Sequence, residues 1–326
     1  MKTRFALLLV MSVGVVLLAP FVGMVDLTWE ALTDIWGNEP EGMILWRLRV
    51  PRVLVAFVAG MGLALGGAAF QALFRNPLAT PYTLGVASGA ALGVAVATRF
   101  SVALAMLGGA LLSVSALAGA LAAVGVVWVV ARIRPDFSTT VLLLAGVAMT
   151  FFFSSLILFL QYTATLGDSF RLVRWLMGGL GAARWESLGA MTLFVVVGGV
   201  VVARKARDLD LFMVGSEIAA SRGVDVSRTQ RDLFLGTSLM VGGVVATCGP
   251  IGFVGMMAPH IARLLVGSGH RVLLPVSAVF GGAFLVICDT LARSVIAPVE
   301  LPVGVITAFL GGPFFLWLLV RRTEGR

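Results

Sequence analysis

Groups able to do covalent chemistry are scarce in this chain, and those present stand apart. The lysines are Lys2 and Lys205. Neither closes a G-x-x-x-x-G-K-[ST] loop, whose backbone N–H groups and lysine cradle nucleotide phosphates, so ATP hydrolysis by a P-loop is excluded. The histidines, His260 and His270, form no H-E-x-x-H pair, which removes the zinc-protease arrangement. Cys248 and Cys288 lie in apolar stretches without C-x-x-C spacing and read as buried thiols rather than a disulfide, zinc or redox pair. Gly85-Val-Ala-Ser-Gly89 is one residue too long for the G-x-S-G of an intramembrane serine protease and reads as a small-residue helix face. A membrane-embedded hydrolase therefore lacks a nucleophile paired with a base. An ion-coupled secondary carrier would bury carboxylates or histidines along its path. The apolar runs hold Gln71 and Gln161 near their ends and Asp289 at a boundary; His260, within Ala258-Pro-His-Ile-Ala-Arg263, is the best exception and reads as a structural interface histidine.

Recognition chemistry is better represented. Leu48-Arg49-Val50-Pro51-Arg52 places two arginines directly before an apolar run, and Arg293 follows another. Guanidinium groups suit paired recognition of carboxylates on a partner, with lipid headgroup phosphate as the alternative ligand. The run from Gly215 to Val226 contains Glu217, Ala219, Ala220, Arg222 and Gly223. Small residues followed by a glycine predict a short helix with a slim face and a defined stop, able to lie in a groove of a soluble partner. A solvated loop resting on lipid headgroups is the plainer alternative. Phe74-Arg75-Asn76-Pro77 predicts a turn at a membrane face, and Pro81 a fresh helix start. Gly85, Ser88 and Gly89 would give that helix a thin face suited either to packing or to lining a path.

The elements that must position these groups are membrane spans. Charged residues are 12% of 326, hydrophobic residues 59%, and the mean hydropathy is +1.03, too little polar surface for a water-soluble globule. With about 20 apolar residues needed per crossing, ten stretches qualify: 5–25, 53–74, 83–98, 102–131, 140–162, 188–203, 233–248, 251–266, 272–288 and 303–320. The first is long for a signal peptide and lacks a small-x-small cleavage site, so it reads as a retained span. Ten spans put both termini on one side. Of the 24 lysines and arginines, all fall on that side except Arg47, Arg49, Arg52, Arg99, Arg171, Arg174, Arg184 and Arg293, which places both termini in the cytoplasm. The net charge of +8 thus reports topology; basic residues come in ones and twos without the continuous patch that nucleic acid requires. Glycines four apart, Gly62 with Gly66 and Gly85 with Gly89 and Gly93, predict close helix packing. The chain reads as an all-α polytopic membrane protein, one transmembrane domain over 1–326 with a cytoplasmic segment at about 204–232.

Seven ordered motifs make the chain similar to a known family, the FecCD-type permeases of ABC importers for iron chelates and cobalamin. They are Leu48-Arg-Val-Pro-Arg52, Gln71-Ala-Leu-Phe-Arg-Asn-Pro-Leu-Ala-Thr-Pro81, Leu144-Ala-Gly-Val147, Trp175-Leu-Met-Gly-Gly179, Gly252-Phe-Val-Gly255 with Ala258-Pro-His-Ile-Ala-Arg263, His270-Arg-Val-Leu-Leu-Pro275, and Glu300-Leu-Pro-Val-Gly-Val305. The resemblance implies a ten-span homodimeric subunit of the bacterial inner membrane. It also implies a path between the two copies, two ATPase subunits below and a substrate-binding protein above. ATP and Mg would belong to the ATPases, with no cofactor, metal or catalytic residue on this chain. It further implies that Arg49, Arg52 and Arg293 clasp acidic residues of the binding protein. Glu217 to Gly223 would be the coupling helix, with Ile218 where alanine is usual, and Ser88 and Ser138-Thr139-Thr140 would narrow the cytoplasmic exit. The implied cargo is an iron chelate, siderophore or haem, with cobalamin as the alternative.

Overall fold

The structure, a computed structural model, describes residues 2–23, 25–35, 39–100, 108–132 and 139–323. Among them there is no strand. In chain order the helices are α1 (Lys2–Leu18), α2 (Pro40–Met43), α3 (Val50–Leu73), α4 (Val86–Arg99), α5 (Gly108–Arg132), α6 (Thr139–Tyr162), α7 (Leu166–Leu176), α8 (Trp185–Arg204), α9 (Ala206–Val214), α10 (Ser216–Ser221), α11 (Val226–Cys248), α12 (Val254–Val266), α13 (His270–Ser294) and α14 (Val303–Thr323). A π-helical stretch, Ile44–Arg49, joins α2 to α3.

Among the described residues, six stretches are long and apolar enough to cross a membrane: Pro40–Leu73, Leu111–Ala131, Thr140–Tyr162, Trp185–Arg204, Val226–Cys248 and His270–Ser294. The other four predicted spans are occupied by shorter apolar helices, Phe5–Phe21, Val86–Arg99, Val254–Val266 and Val303–Leu318. Two of these start three residues later than the sequence predicts, each for a backbone reason. Gly85, at φ +80°, stands before α4, and Phe253, at φ +67°, stands before α12. The irregular segments leading into α4 and α12 meet, the Tyr82 hydroxyl accepting the Ile251 N–H at 3.1 Å. Non-helical backbone inside a bilayer needs such partners from the protein itself. The Gly179 N–H likewise donates to the Cys248 carbonyl at 2.8 Å.

At the centre is α3, which packs against α8, α11, α12 and α13. The closest approaches are backbone to backbone. A Cβ on Gly67 would overlap the Gly255 carbonyl of α12, and one on Gly60 the Gly281 carbonyl of α13. The predicted pair, Gly62 and Gly66, lies on another face and meets side chains, with a Cβ on Gly62 falling 3.0 Å from Val195 Cγ2 and one on Gly66 3.0 Å from Val241 Cγ2. Both faces of α3 thus carry glycine because the helix is enclosed. Gly89 and Gly93 do mark a close contact, against the Gly119 and Ser115 carbonyls of α5. Cys248 and Cys288 are free and buried in the core.

Overpacking a core costs about 1–3 kcal/mol when side chains can yield; at Gly67 the obstacle is backbone. Gly67→Val is expected to lower the thermal midpoint of the detergent-solubilised chain sharply, whereas Gly62→Ala leaves it within a few degrees. Equal melting of the two variants would contradict the enclosed packing of α3.

Candidate functional site

Charged side chains gather at the two ends of the bundle. The upper end carries residues 19–23 and 295–302; the lower end carries residues 204–232. At the upper end Arg49 emerges from the π-helical stretch into the turn after α1. There its Nη1 donates to the Pro20 carbonyl at 3.0 Å and its Nη2 to the Val25 carbonyl at 2.6 Å. A Cβ on Gly23 would fall 2.8 Å from that Nη2, so a larger residue there would have to displace the guanidinium.

Arg52, one turn into α3, grips Asp289 of α13 with Nε at 3.1 Å and Nη2 at 2.9 Å, while Nη1 reaches Glu300 Oε2 at 2.9 Å. Arg293, one turn beyond Asp289, pairs with its other oxygen at 3.1 Å and donates to the Val22 and Ala19 carbonyls at 3.2 and 3.4 Å. Asp289 is only 1% exposed and holds a guanidinium on each side. The three arginines predicted to reach an acidic partner are therefore engaged within the chain, Arg49 and Arg293 being buried. They line, with Arg174 and Glu300, a cavity of about 360 Å³. Arginine outnumbers carboxylate in its wall, which suits it to an anionic group. Arg171, Arg174 and Arg184 are the exposed arginines nearby in sequence on α7 and its following turn. Sequence reasoning missed Asp289 and Glu300 as partners. The available signal was an acid four residues before an arginine at the end of an apolar run.

The same end carries α7, also unpredicted. Thr165 caps it, its hydroxyl accepting the Asp168 N–H at 3.2 Å. Hydrogen bonding from Thr165, then the Arg171 guanidinium, holds the Asp168 carboxyl below the usual carboxylate range.

At the lower end the predicted short helix is present as α10, preceded by the unpredicted α9. Its stop is a Schellman motif: Gly223 takes φ +84°, its N–H donates to the Ala220 carbonyl at 2.9 Å, and the Val224 N–H donates to the Ala219 carbonyl at 3.1 Å. Ala219 is fully buried, whereas Glu217, Ile218, Ala220, Arg222 and Gly223 are exposed. One alanine anchors the helix; the rest form its outer face. Ile218 adds apolar surface to that face beside Met213 and Val214, both exposed.

The unit is braced to α11, since Lys205 Nζ lies 3.3 Å from Asp208 and 3.1 Å from the Thr229 hydroxyl, which itself donates to Asp208 at 3.2 Å. The Arg75 turn borders it too. Arg75 is the left-handed residue, φ +47°, of a Schellman motif ending α3, with the Asn76 N–H on the Gln71 carbonyl at 3.1 Å. Its Nη1 sits 4.0 Å from where a Cβ on Gly215 would lie.

Of the residues predicted to narrow an exit, Ser88 lies on α4 and Thr139 and Thr140 on α6, and these two helices pack against each other. The half-buried Ser88 bonds the Gly85 carbonyl at 3.1 Å within its own helix start. Thr139 opens α6, Thr140 is exposed, and Ser138 lies outside the described residues. Half-buried His260 packs edge-on against Phe314 of α14, the rings 5.9 Å apart.

The sequence profile of the FecCD transport family matches residues 7–321. The chain is 42% identical over 301 residues to a cobalamin import system permease of Halobacterium salinarum, covering 90% of this chain and 79% of that one. It is 37% identical over 329 residues to the hemin transport system permease HmuU of Yersinia pestis, covering 100% and 97%. Among solved structures it is similar to a metal-chelate type ABC transporter in an inward-facing conformation, with TM-score 0.85, 29% identity and 97% of each chain covered.

Removing one partner of a buried ion pair costs about 3–5 kcal/mol, against about 1 or less for an exposed one. Asp289→Ala, which strands Arg52 and Arg293, is expected to lower the thermal midpoint far more than Glu300→Gln, whose carboxylate is 43% exposed. A comparable small shift in both variants would show that the cluster does not hold the upper end together.

Proposed function

The chain belongs to the FecCD transport family, the permease subunits of ABC importers, and from that premise we propose that it carries an iron chelate, siderophore or haem, across a bacterial inner membrane by alternating access. As a permease subunit it is not an enzyme; ATP hydrolysis belongs to a separate subunit. In the proposed assembly two copies enclose the path. Both termini and α10 face the cytoplasm, two ATPase subunits that hold ATP and Mg grip the α10 face, and a substrate-binding protein docks on the upper end. The observation that carries this reading is α10 itself: a capped helix anchored by a single buried alanine, with its remaining residues presented outward. The division of lysines and arginines between the two sides supports the orientation.

Docking by Arg49, Arg52 and Arg293 is proposed to act through the cavity they line, where the exposed Arg174 offers first contact to an acidic residue of the binding protein. Ser88 and Ser138-Thr139-Thr140 are proposed to border the exit. Cobalamin is an equally supported cargo, because relatives of similar identity are named for haem and for cobalamin.

The test is uptake into liposomes holding the chain with its ATPase, supplied with the binding protein and labelled haem, ferric siderophore or cobalamin. ATP is expected to drive uptake of one of these cargos. Uptake driven by an ion gradient without the ATPase would overturn the reading in favour of a secondary carrier. Ala220→Trp, on the exposed face, is expected to cut cargo moved per ATP at least tenfold, and a ratio equal to wild type would remove α10 from the transmission path. Arg174→Glu is expected to weaken binding-protein docking about tenfold in a direct binding measurement; unchanged affinity would place docking elsewhere.

A further inference from the structure

The lower end of α13 is held by a residue of another helix. Gly269, which precedes α13, has no side chain with which to cap it. The cap comes instead from Asp210 of α9, whose Oδ1 accepts the His270 backbone N–H at 2.8 Å and lies 2.6 Å from the His270 Nδ1. A carboxylate at a helix start satisfies an otherwise unpaired N–H and is favoured by the helix dipole. The two contacts fix both the position of the α13 terminus and the orientation of the imidazole. His270 is fully buried, and its Nε2 has no hydrogen-bond partner, so Asp210 is its polar attachment. Asp210 itself is 40% exposed, at the rim of the lower end.

We propose that the Asp210–His270 contact is a positioning joint that hands movement of the α9–α10 unit to α13 and, through α13, to the arginine cluster at the opposite end. The inference rests on the permease reading given above. Three features give it direction. First, α10 packs on α9 and on α11, and α9 packs on α13 and α3, so force applied to the α10 face reaches α13 and α3 through α9. Second, α13 runs past Pro275 to Ser294 without further proline, and at 1.5 Å per residue His270 and Asp289 are roughly 28 Å apart along it. Third, the far end of α13 supplies both Asp289 and Arg293, which hold Arg52 of α3 and the turn after α1. A displacement of the capped terminus therefore moves the residues that set the upper cavity. Lys205, Asp208 and Thr229 brace the same unit to α11 through polar contacts with one another. Asp210 makes the connection between the two ends specific.

The experiment uses the complex of this chain with its ATPase in nanodiscs, spin-labelled through cysteines placed at Leu166 and Val295. Both positions are exposed at the upper end, at 92% and 62%. Pulsed electron resonance reads the distance between the labels with and without ATP plus vanadate. In wild type ATP is expected to shift the distance; Asp210→Asn, whose amide oxygen still accepts both N–H groups, is expected to keep the shift. Asp210→Ala is expected to reduce it to less than a third while the ATPase still co-purifies. A full shift in Asp210→Ala overturns the joint. Should that variant fail to assemble, His270→Leu keeps the backbone cap and removes the imidazole contact; it is expected to halve the shift, and an undiminished shift overturns the joint equally. A wild-type complex with no ATP-dependent change overturns the permease reading on which the joint depends.

Discussion

Enclosure of α3 by four other helices is the constraint on which the bundle depends. A helix in lipid gains little from hiding apolar side chains against equally apolar neighbours, so association rests on close packing of backbones. Gly60 and Gly67 supply that closeness toward α13 and α12, while Gly62 and Gly66 make room for valines of α8 and α11. With α3 fixed, both of its ends become reference points. Arg49 and Arg52 leave from one, and the Arg75 turn from the other.

The charged groups make sense against that frame. In the apolar interior a carboxylate is costly, yet Asp289 persists because two guanidinium groups satisfy it from α3 and α13. The cluster thereby ties the central helix to the one helix whose other end is capped from α9. At the lower end half-exposed Lys205, Asp208 and Asp210 brace α9 to α11 and α13 through the buried Thr229 and His270. Close packing in the middle is thus bounded by a buried ion-pair clasp above and a bracket of polar contacts below.

Much of this was legible from residue order. Hydrophobic run length located six stretches long enough to cross a membrane and four shorter apolar helices, although α11 begins seven residues before its predicted start and α13 ends six residues beyond its predicted end; Gly223 correctly marked the end of α10. The starts of α4 and α12 were misplaced because hydropathy does not register a left-handed residue, and Phe253 gives no warning of one. Three helices, α2, α7 and α9, escaped notice because they are short and mixed in polarity. The arginines were found by type but their setting was not. A sequence shows that Arg293 follows an apolar run; that it lies inside α13, four residues from a buried acid shared with Arg52, depends on a contact across more than two hundred residues.

The separation of anchor from face in α10 has a consequence for how such a subunit can diversify. Since only Ala219 is committed to the bundle, Glu217, Ile218, Ala220 and Arg222 are at liberty to change without disturbing the fold. With the proposed ATPase contact on this face, a duplicated copy would be free to take a different motor by altering a handful of outward atoms while keeping its conduit intact.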